Sequence, residues 1–453
     1  TTCTLTTYVT IQPKTSLALS TASASGDMAI ISGGLTTGIF YVSGGNLNIT
    51  DLVVEKGSWK NPGGAFIVFG SATADACVHL LRTIVRLCES TKPGGAVFLK
   101  GNNGGSAMLL LTNSTLDSNT GTDGGAICAY PGGKVEITEG TTSYLKNNTA
   151  TFGGGILFNG QSSLKVTGVG TQLVVDGNTA ATTGGGILAT GAASLLVADG
   201  GHLNVFNNKA SSFNAGGIYV VTLGTILKIT GVGTKMTVTG NVAYNQGGGA
   251  MMSTACSVVV SGGAQVIVAS NTAQLGGGLL FTSASSLLVA DGGHLNVFNN
   301  TASSFHAGGI FVATLGTLLE ITGIGTKMTV TGNVAQHQGG GVMVSTTGSV
   351  VVSDGAQVIV ADNTAGVLGG GLCILNAGTQ FNVTGAGTHV TVDRNAAQNG
   401  GGFYFGASPE MTIASGARLD SVHNEATGAG GGMLTQIGSI VSISGVGTQV
   451  RFG

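Results

Sequence analysis

Three ionisable residues occupy one repeated position in this sequence. Asp117, Lys146 and Asp176 each lie two residues before an Asn, in three consecutive copies of a repeat. If successive copies stack as neighbouring strands, the three side chains stand about 4.8 Å apart. Carboxylates flanking an ammonium at that spacing are raw material for a metal site or for a general base acting on a polysaccharide. No Arg, His or third acid is read into the column, so it is expected to be an outward salt-bridge ladder that keeps like charges apart. Two Asp–His pairs, Asp199/His202 and Asp291/His294, recur identically. Three copies apart, roughly 14 Å, they cannot share an ion, and each pair alone has too few ligands, so they read as turn residues. No Gly-Gly-x-Gly-x-Asp calcium repeat, phosphate-binding loop or persuasive Ser/His/Asp spacing is present. No catalytic residue, metal ligand or cofactor is assigned, and the chain is expected not to be an enzyme.

What positions these residues is a period. Gly pairs or triplets open at 63, 94, 124, 153, 184, 216, 247, 276, 308, 339, 369, 400 and 430, spaced 29 to 32 residues apart. Asn119, Asn148, Asn178, Asn208, Asn241, Asn271, Asn300, Asn333, Asn363, Asn395 and Asn424 precede them at matching intervals. Each copy holds three short runs rich in Val, Ile and Thr between Gly and Asn breaks, which read as strands. The 81 glycines and the lack of a 3.6 period exclude helix. The expected fold is all-β: a single right-handed parallel β-helix, three strands per rung, with about 13–14 rungs of about 30 residues. The Asn column is read as structural. Each Asn is expected to take the left-handed conformation at a corner and to bond to its neighbours along the stack. Val205, Val238, Val268, Val297 and Val330, three residues before the corner Asn, are expected to form one inward column.

Strand parity then sends the second residue of each first strand outward. That position reads Leu157, Leu188, Tyr219, Met251, Leu280, Phe311, Met343, Cys373, Tyr404 and Leu434, with no charge among them. An apolar stripe this long predicts burial against a partner, hence lateral self-association. The second strand instead turns Lys165, Lys228, Glu320, Asn382 and Ser442 outward.

Only 8% of residues are charged and the net charge is −2, so neither nucleic acid nor an anionic membrane surface is an expected partner. No apolar run reaches the length of a membrane-spanning helix. The opening Thr1-Thr-Cys3 lacks Met and a charged-then-apolar leader, which fits a processed, mature chain. Among the six cysteines, Cys77 and Cys88 flank two strands of one rung and are the plausible local disulfide. Asn48, Asn113, Asn147, Asn299 and Asn382 begin Asn-X-Ser/Thr sequons, compatible with glycosylation.

Three segments are expected. Residues 1–45 hold an N-terminal cap and the first strands, with Ser16–Asp27 as an amphipathic turn over the open end. Residues 46–123 form irregular rungs, and 124–453 regular rungs. Within the last, 194–272 and 286–364 match at an offset of 92, a three-rung super-repeat. No C-terminal cap is visible at Arg451-Phe-Gly453, which calls for continuation or a covering partner.

Gly124-Gly-Ala-Ile127, with Gly63-Gly-Ala-Phe66 and Gly94-Gly-Ala-Val97, followed by a strand ending before the corner Asn, resembles the repeats of chlamydial-type polymorphic outer-membrane proteins. The family's Phe in Phe-x-x-Asn is here Leu116, Leu145, Val175 or Val205. The resemblance spans residues 60–435. It implies a surface-displayed, autotransporter-passenger-like β-helix serving adhesion or surface assembly. The expected function is a structural extracellular or cell-surface protein that forms a layer, appendage or filament, or acts as an adhesin. Its expected partners are copies of itself, other surface proteins and glycans. The alternative is a carbohydrate-active enzyme or sugar-binding module on a pectin-lyase-like β-helix.

Overall fold

The computed structural model describes residues 2–21, 28–102, 104–137 and 140–453. These residues form strands and turns without a helix, as a parallel β-solenoid of about 14 turns of ~31 residues. The chain divides into two compact units: Thr1–Ser212 with Gly217–Tyr219, and Phe213–Gly216 with Val220–Gly453.

One rung of the first unit runs through strands Ile156–Phe158, Ser163–Thr167, Gln172–Asp176 and Thr179–Thr183. One of the second runs through Leu279–Phe281, Ser286–Val289, His294–Phe298 and Thr301–Ala302. The first three strands are those expected. The fourth, directly after the corner Asn, was not anticipated, because two to five residues such as Thr-Ala give no alternation to read. The first strands pair in parallel without slippage: Leu279 lies beside Ile310, then Val342, Leu372, Phe403 and Met433.

The core lies inside the coil. In the second unit Val238, Val268, Val297 and Val330 are mutual register partners and fully buried, as is Val205 in the first. The expected inward Val column is therefore present.

Each corner Asn is also buried, and its amide is fully used. In the second unit Asn333 Nδ2 donates to Asn363 Oδ1 at 2.9 Å and to the Val297 carbonyl at 3.0 Å. Its own Oδ1 accepts from the backbone N–H and the Nδ2 of Asn300, both at 3.0 Å. The same pattern links Asn119, Asn148, Asn178 and Asn208 in the first unit. One expectation is corrected: the left-handed residue is not the ladder Asn but the one before it. Ser118, Asn147, Asn207, Ser270, Asn299 and Asp362 carry φ of 53–56°. That residue makes the turn, which leaves the ladder Asn free to point inward.

The glycines after the corner answer to close packing. A Cβ on Gly248 would stand 2.4 Å from the Gly277 carbonyl oxygen, and one on Gly249 2.6 Å from that of Gly278. At the start of the chain, Ser16–Ser20 is a strand paired with Asn46–Thr50 rather than an amphipathic turn. Leu17 and Leu19 alternate with small polar or Ala positions, the period of a strand. Residues 22–27 of that expected turn lie outside the described residues.

Candidate functional site

Register places Glu55, Arg86, Asp117, Lys146 and Asp176 in one outward file, so the ionic column is longer than the sequence suggested. The first two rungs carry no Asn at the corner (Gly57 and Cys88 stand there), which hid the alignment. Signs alternate along the file. Arg86 Nη2 lies 2.8 Å from Glu55 Oε2, and Lys146 Nζ 3.8 Å from Asp117 Oδ2. Asn147 and Asn207 donate to Asp117 and Asp176 at 3.1 and 2.9 Å. Burial works to raise the Glu55 pKa, but the hydrogen bond and charge of Arg86 outweigh it and hold the carboxyl below its usual range. The file fits an alternating ladder of ionised groups, worth about 0–1 kcal/mol per exposed pair.

A second ionic group lies near the C-terminal rungs. Asp420 Oδ2 accepts from Arg418 Nε at 2.7 Å and stands 2.8 Å from His389 Nε2. Asp393 meets Arg394 and, at 2.9 Å, His423 Nδ1. Burial opposes ionisation of Asp420, yet Arg418 and His389 lower its pKa. The carboxyl pushed upward is Asp123, half-buried beside a Gly corner, with burial as the cause. Among the described residues no group of three His, Cys, Asp or Glu side chains is arranged to hold a metal ion. Asp199 and Asp291 are left-handed turn residues, φ 54° and 50°.

The apolar stripe needs correction. Leu157, Leu188, Met251, Leu280, Phe311, Met343, Cys373 and Tyr404 are buried within the chain itself, and Tyr219 and Leu434 are half-buried. The cause is the Gly corner, which folds back over the outer face of the first strand. A Cβ on Gly247 would lie 2.8 Å from Met251 Cβ, and one on Gly339 2.7 Å from Met343 Cβ. Parity alone could not show that the chain covers its own ridge, so eight of these ten residues offer no open surface for lateral contact.

Apolar surface appears instead at two corners that sequence reading passed over. Val169, Val232, Ile324 and Val446 sit at the tips of turns between second and third strands, 84–98% exposed. Leu223, Leu315 and Ile437 do the same between first and second strands, at 72–94%. The turns are built alike. Gly323 and Gly325 take φ of 96° and 78° on either side of Ile324. Thr326 Oγ1 then accepts the Gly292 N–H of the preceding rung at 3.1 Å, which anchors the tip. The signal was legible: Gly-Val-Gly-Thr at 168–171, 231–234 and 445–448, Gly-Ile-Gly-Thr at 323–326, and Thr-Leu-Gly-Thr at 222–225 and 314–317. Between the corners, exposed Ile226 and Ile440 open the second strands.

The proposed disulfide is also corrected. Cys77 lies on the outer side of strand Ala76–Leu81, while Cys88 is buried, its Sγ 3.3 Å from the Arg86 carbonyl; all six cysteines are free. Burial pushes the Cys88 thiol up to about 12. Of the sequon residues, Asn48, Asn113, Asn147 and Asn299 are exposed and Asn382 is half-buried.

No protein-family model matches the chain, and no curated protein matches it, so the resemblance to polymorphic outer-membrane protein repeats has no family match behind it. Among solved structures, a crystal structure of a TibA fragment hyper-glycosylated by TibC aligns over 98% of this chain and 99% of that chain, at 12% identity and a TM-score of 0.32. A likeness of that size carries no argument.

Proposed function

We propose that this chain is a structural, non-catalytic β-helix of an extracellular or cell-surface protein, and that it associates side by side through the outer face of its second-strand sheet. The observation that supports this reading is the repeated apolar corner tip. Turn tips in water favour Asn, Asp, Ser and Gly, yet here Val, Ile and Leu recur at equivalent positions. In the second unit Leu223, Val232, Leu315, Ile324, Ile437 and Val446 flank one sheet face. Full burial of six such side chains is worth roughly 9–18 kcal/mol at ~1.5–3 kcal/mol each. Association entropy of about 4–15 kcal/mol opposes this. The balance suits assembly at the high local concentration of a surface layer.

The test is sedimentation and negative-stain imaging of the wild type and of the Leu315→Lys, Ile324→Lys double variant. The wild type should form laterally ordered assemblies, and the variant should remain folded and dispersed. A wild type that stays monomeric at high concentration would sink the proposal. So would turnover of a uronate polymer that disappears in an Asp117→Ala, Lys146→Ala, Asp176→Ala variant.

A further inference from the structure

The chain contains one tryptophan, Trp59, and its surroundings are unlike the rest of the molecule. In the first unit an open cleft of about 580 Å³ is lined by Tyr8, Trp59 and Lys60 together with the hydroxyls of Thr36, Thr37 and Ser58. That volume lies in the range of ligand clefts, roughly 300–1,000 Å³. The indole is wedged in place: a Cβ on Gly38 would stand 2.1 Å from its ring, so only glycine lets the ring lie on that backbone. The Tyr8 ring is 4.9 Å from it, tilted by 41°, and Tyr8 is 43% exposed at the rim. The cleft wall is tied across two rungs, with Ser58 N–H donating to the Thr37 carbonyl at 2.9 Å and Leu35 N–H to that of Lys56 at 2.7 Å.

From the cleft an aromatic file continues over the outer face of the first strands. Tyr8 meets Tyr41 at 6.4 Å, Tyr41 meets Phe69 at 5.8 Å, Phe69 meets Phe98 at 5.9 Å, and Phe98 meets Tyr130 at 5.2 Å. Aromatic residues make up only 5% of the sequence, so a file of six is a strong local concentration.

We infer that this cleft is a binding site for an acidic saccharide. A pyranose presents C–H faces that settle on aromatic rings and a rim of hydroxyls that pair with Thr, Ser and Asn side chains. Both kinds of surface meet here. Lys60 supplies the charge preference: it makes no ion pair among the described residues, and no Asp or Glu lines the cleft. A sugar carboxylate would give it a partner. A nucleic-acid strand fits less well, because it brings a phosphate for every base and this site offers one cation.

Trp59 is a built-in reporter. Its fluorescence is followed while the whole chain is titrated with an oligogalacturonate, a neutral malto-oligosaccharide and a mononucleotide. The acidic oligomer should give a saturable change, with the neutral one at least ~10-fold weaker. Lys60→Gln should weaken acidic binding about 10-fold, the loss of one charge-assisted hydrogen bond, and Tyr8→Ala should weaken it comparably, with its fold checked by far-UV circular dichroism because Tyr8 packs on Trp59. Absence of a saturable change, equal affinity for the neutral oligomer, tighter binding of the nucleotide, or unaltered affinity in both variants would each overturn the assignment. None of these results bears on the corner tips, so the site and the mode of assembly stand or fall separately.

Discussion

Removing one amide from the buried Asn ladder should cost far more than its size suggests. In Asn333→Ala the Asn300 N–H loses its acceptor, 3.0 Å away, and is left unpaired inside the coil. Asn300 Nδ2 keeps one of its two bonds, to the Val268 carbonyl at 3.0 Å. The Val297 carbonyl loses a donor, whereas Asn363 Oδ1 still receives the backbone N–H of residue 333. One orphaned buried donor costs about 1–3 kcal/mol, and the bonds lost by Asn300 Nδ2 and the Val297 carbonyl about 0.5–1.5 kcal/mol each, which gives roughly 2–6 kcal/mol. Because a stacked repeat need not unfold in one step, the informative assay is amide exchange at Asn300 under native conditions. Its protection should fall roughly 30-fold or more, at tenfold per 1.4 kcal/mol. Asn333→Asp is the sharper control. It keeps an acceptor for Asn300 but turns a second oxygen toward the Val297 carbonyl and Asn363 Oδ1, at the places where Nδ2 donates now. Those contacts favour the protonated acid, so its folded pKa rises. The variant should therefore be most stable below about pH 4 and lose stability as pH rises through the folded value. If Asn300 exchanges within threefold of wild type in the Ala variant, the ladder is not what closes the corners.

Val297→Ala should destabilise the second unit by about 1–3 kcal/mol in urea, through lost burial and a cavity in the Val column. Glu55 and Asp420 have pKa values held below the usual carboxylate range. The stability they add is complete above about pH 4.5 and is lost as pH falls through their folded values. Asp420→Asn should accordingly flatten the acid limb of the stability curve. A maleimide applied to the native chain should label Cys3, which is exposed, while Cys88, Cys128, Cys256 and Cys373 react only after unfolding; mass spectrometry counts the adducts.

Sequence legibility followed the repeat. The period, the three principal strands, the inward Val column and the structural nature of the Asn ladder could be read, because each rests on local alternation or on one residue type at constant spacing. The features missed depend on how the chain passes itself in space. Parity correctly assigned Met251 to the outer face of its strand, but burial of that face is set by the fold-back at Gly247, two corners of chain that no alternation encodes. The ionic file was cut short because Glu55 and Arg86 precede corners without Asn. The fourth strand is too short to show a pattern. The cleft at Trp59 joins residues from four early segments, 6–8, 35–37, 58–61 and Thr91, in rungs whose irregularity hid their alignment.

The three-rung super-repeat tells more about the outside of the coil than the inside. In the second unit the inward position nearest the ladder is Val238, Val268, Val297, Val330, Val360 and Val392, the same residue in six consecutive rungs and buried throughout, before Ser421 and Phe452 take the place in the last two. Those six rungs meet the same core, so packing there calls for a period of one. The leading outward position of the same strands runs Lys235, Gln265, His294, Lys327, Gln357, His389, Arg418 and Gln449, register partners throughout. Duplication alone accounts for the first recurrence. It does not account for the second, at His389, Arg418 and Gln449, where the flanking residues have diverged. His294-Leu-Asn-Val-Phe298 becomes His389-Val-Thr-Val-Asp393, and Lys327-Met-Thr-Val-Thr331 becomes Arg418-Leu-Asp-Ser-Val422, yet the amide, imidazole and cation return in order. The pattern therefore outlasts its neighbours on the outer face and has no counterpart in the Val column. Three rungs, roughly 14 Å, is thus the period of the outer face, while the Val column beneath it keeps a period of one.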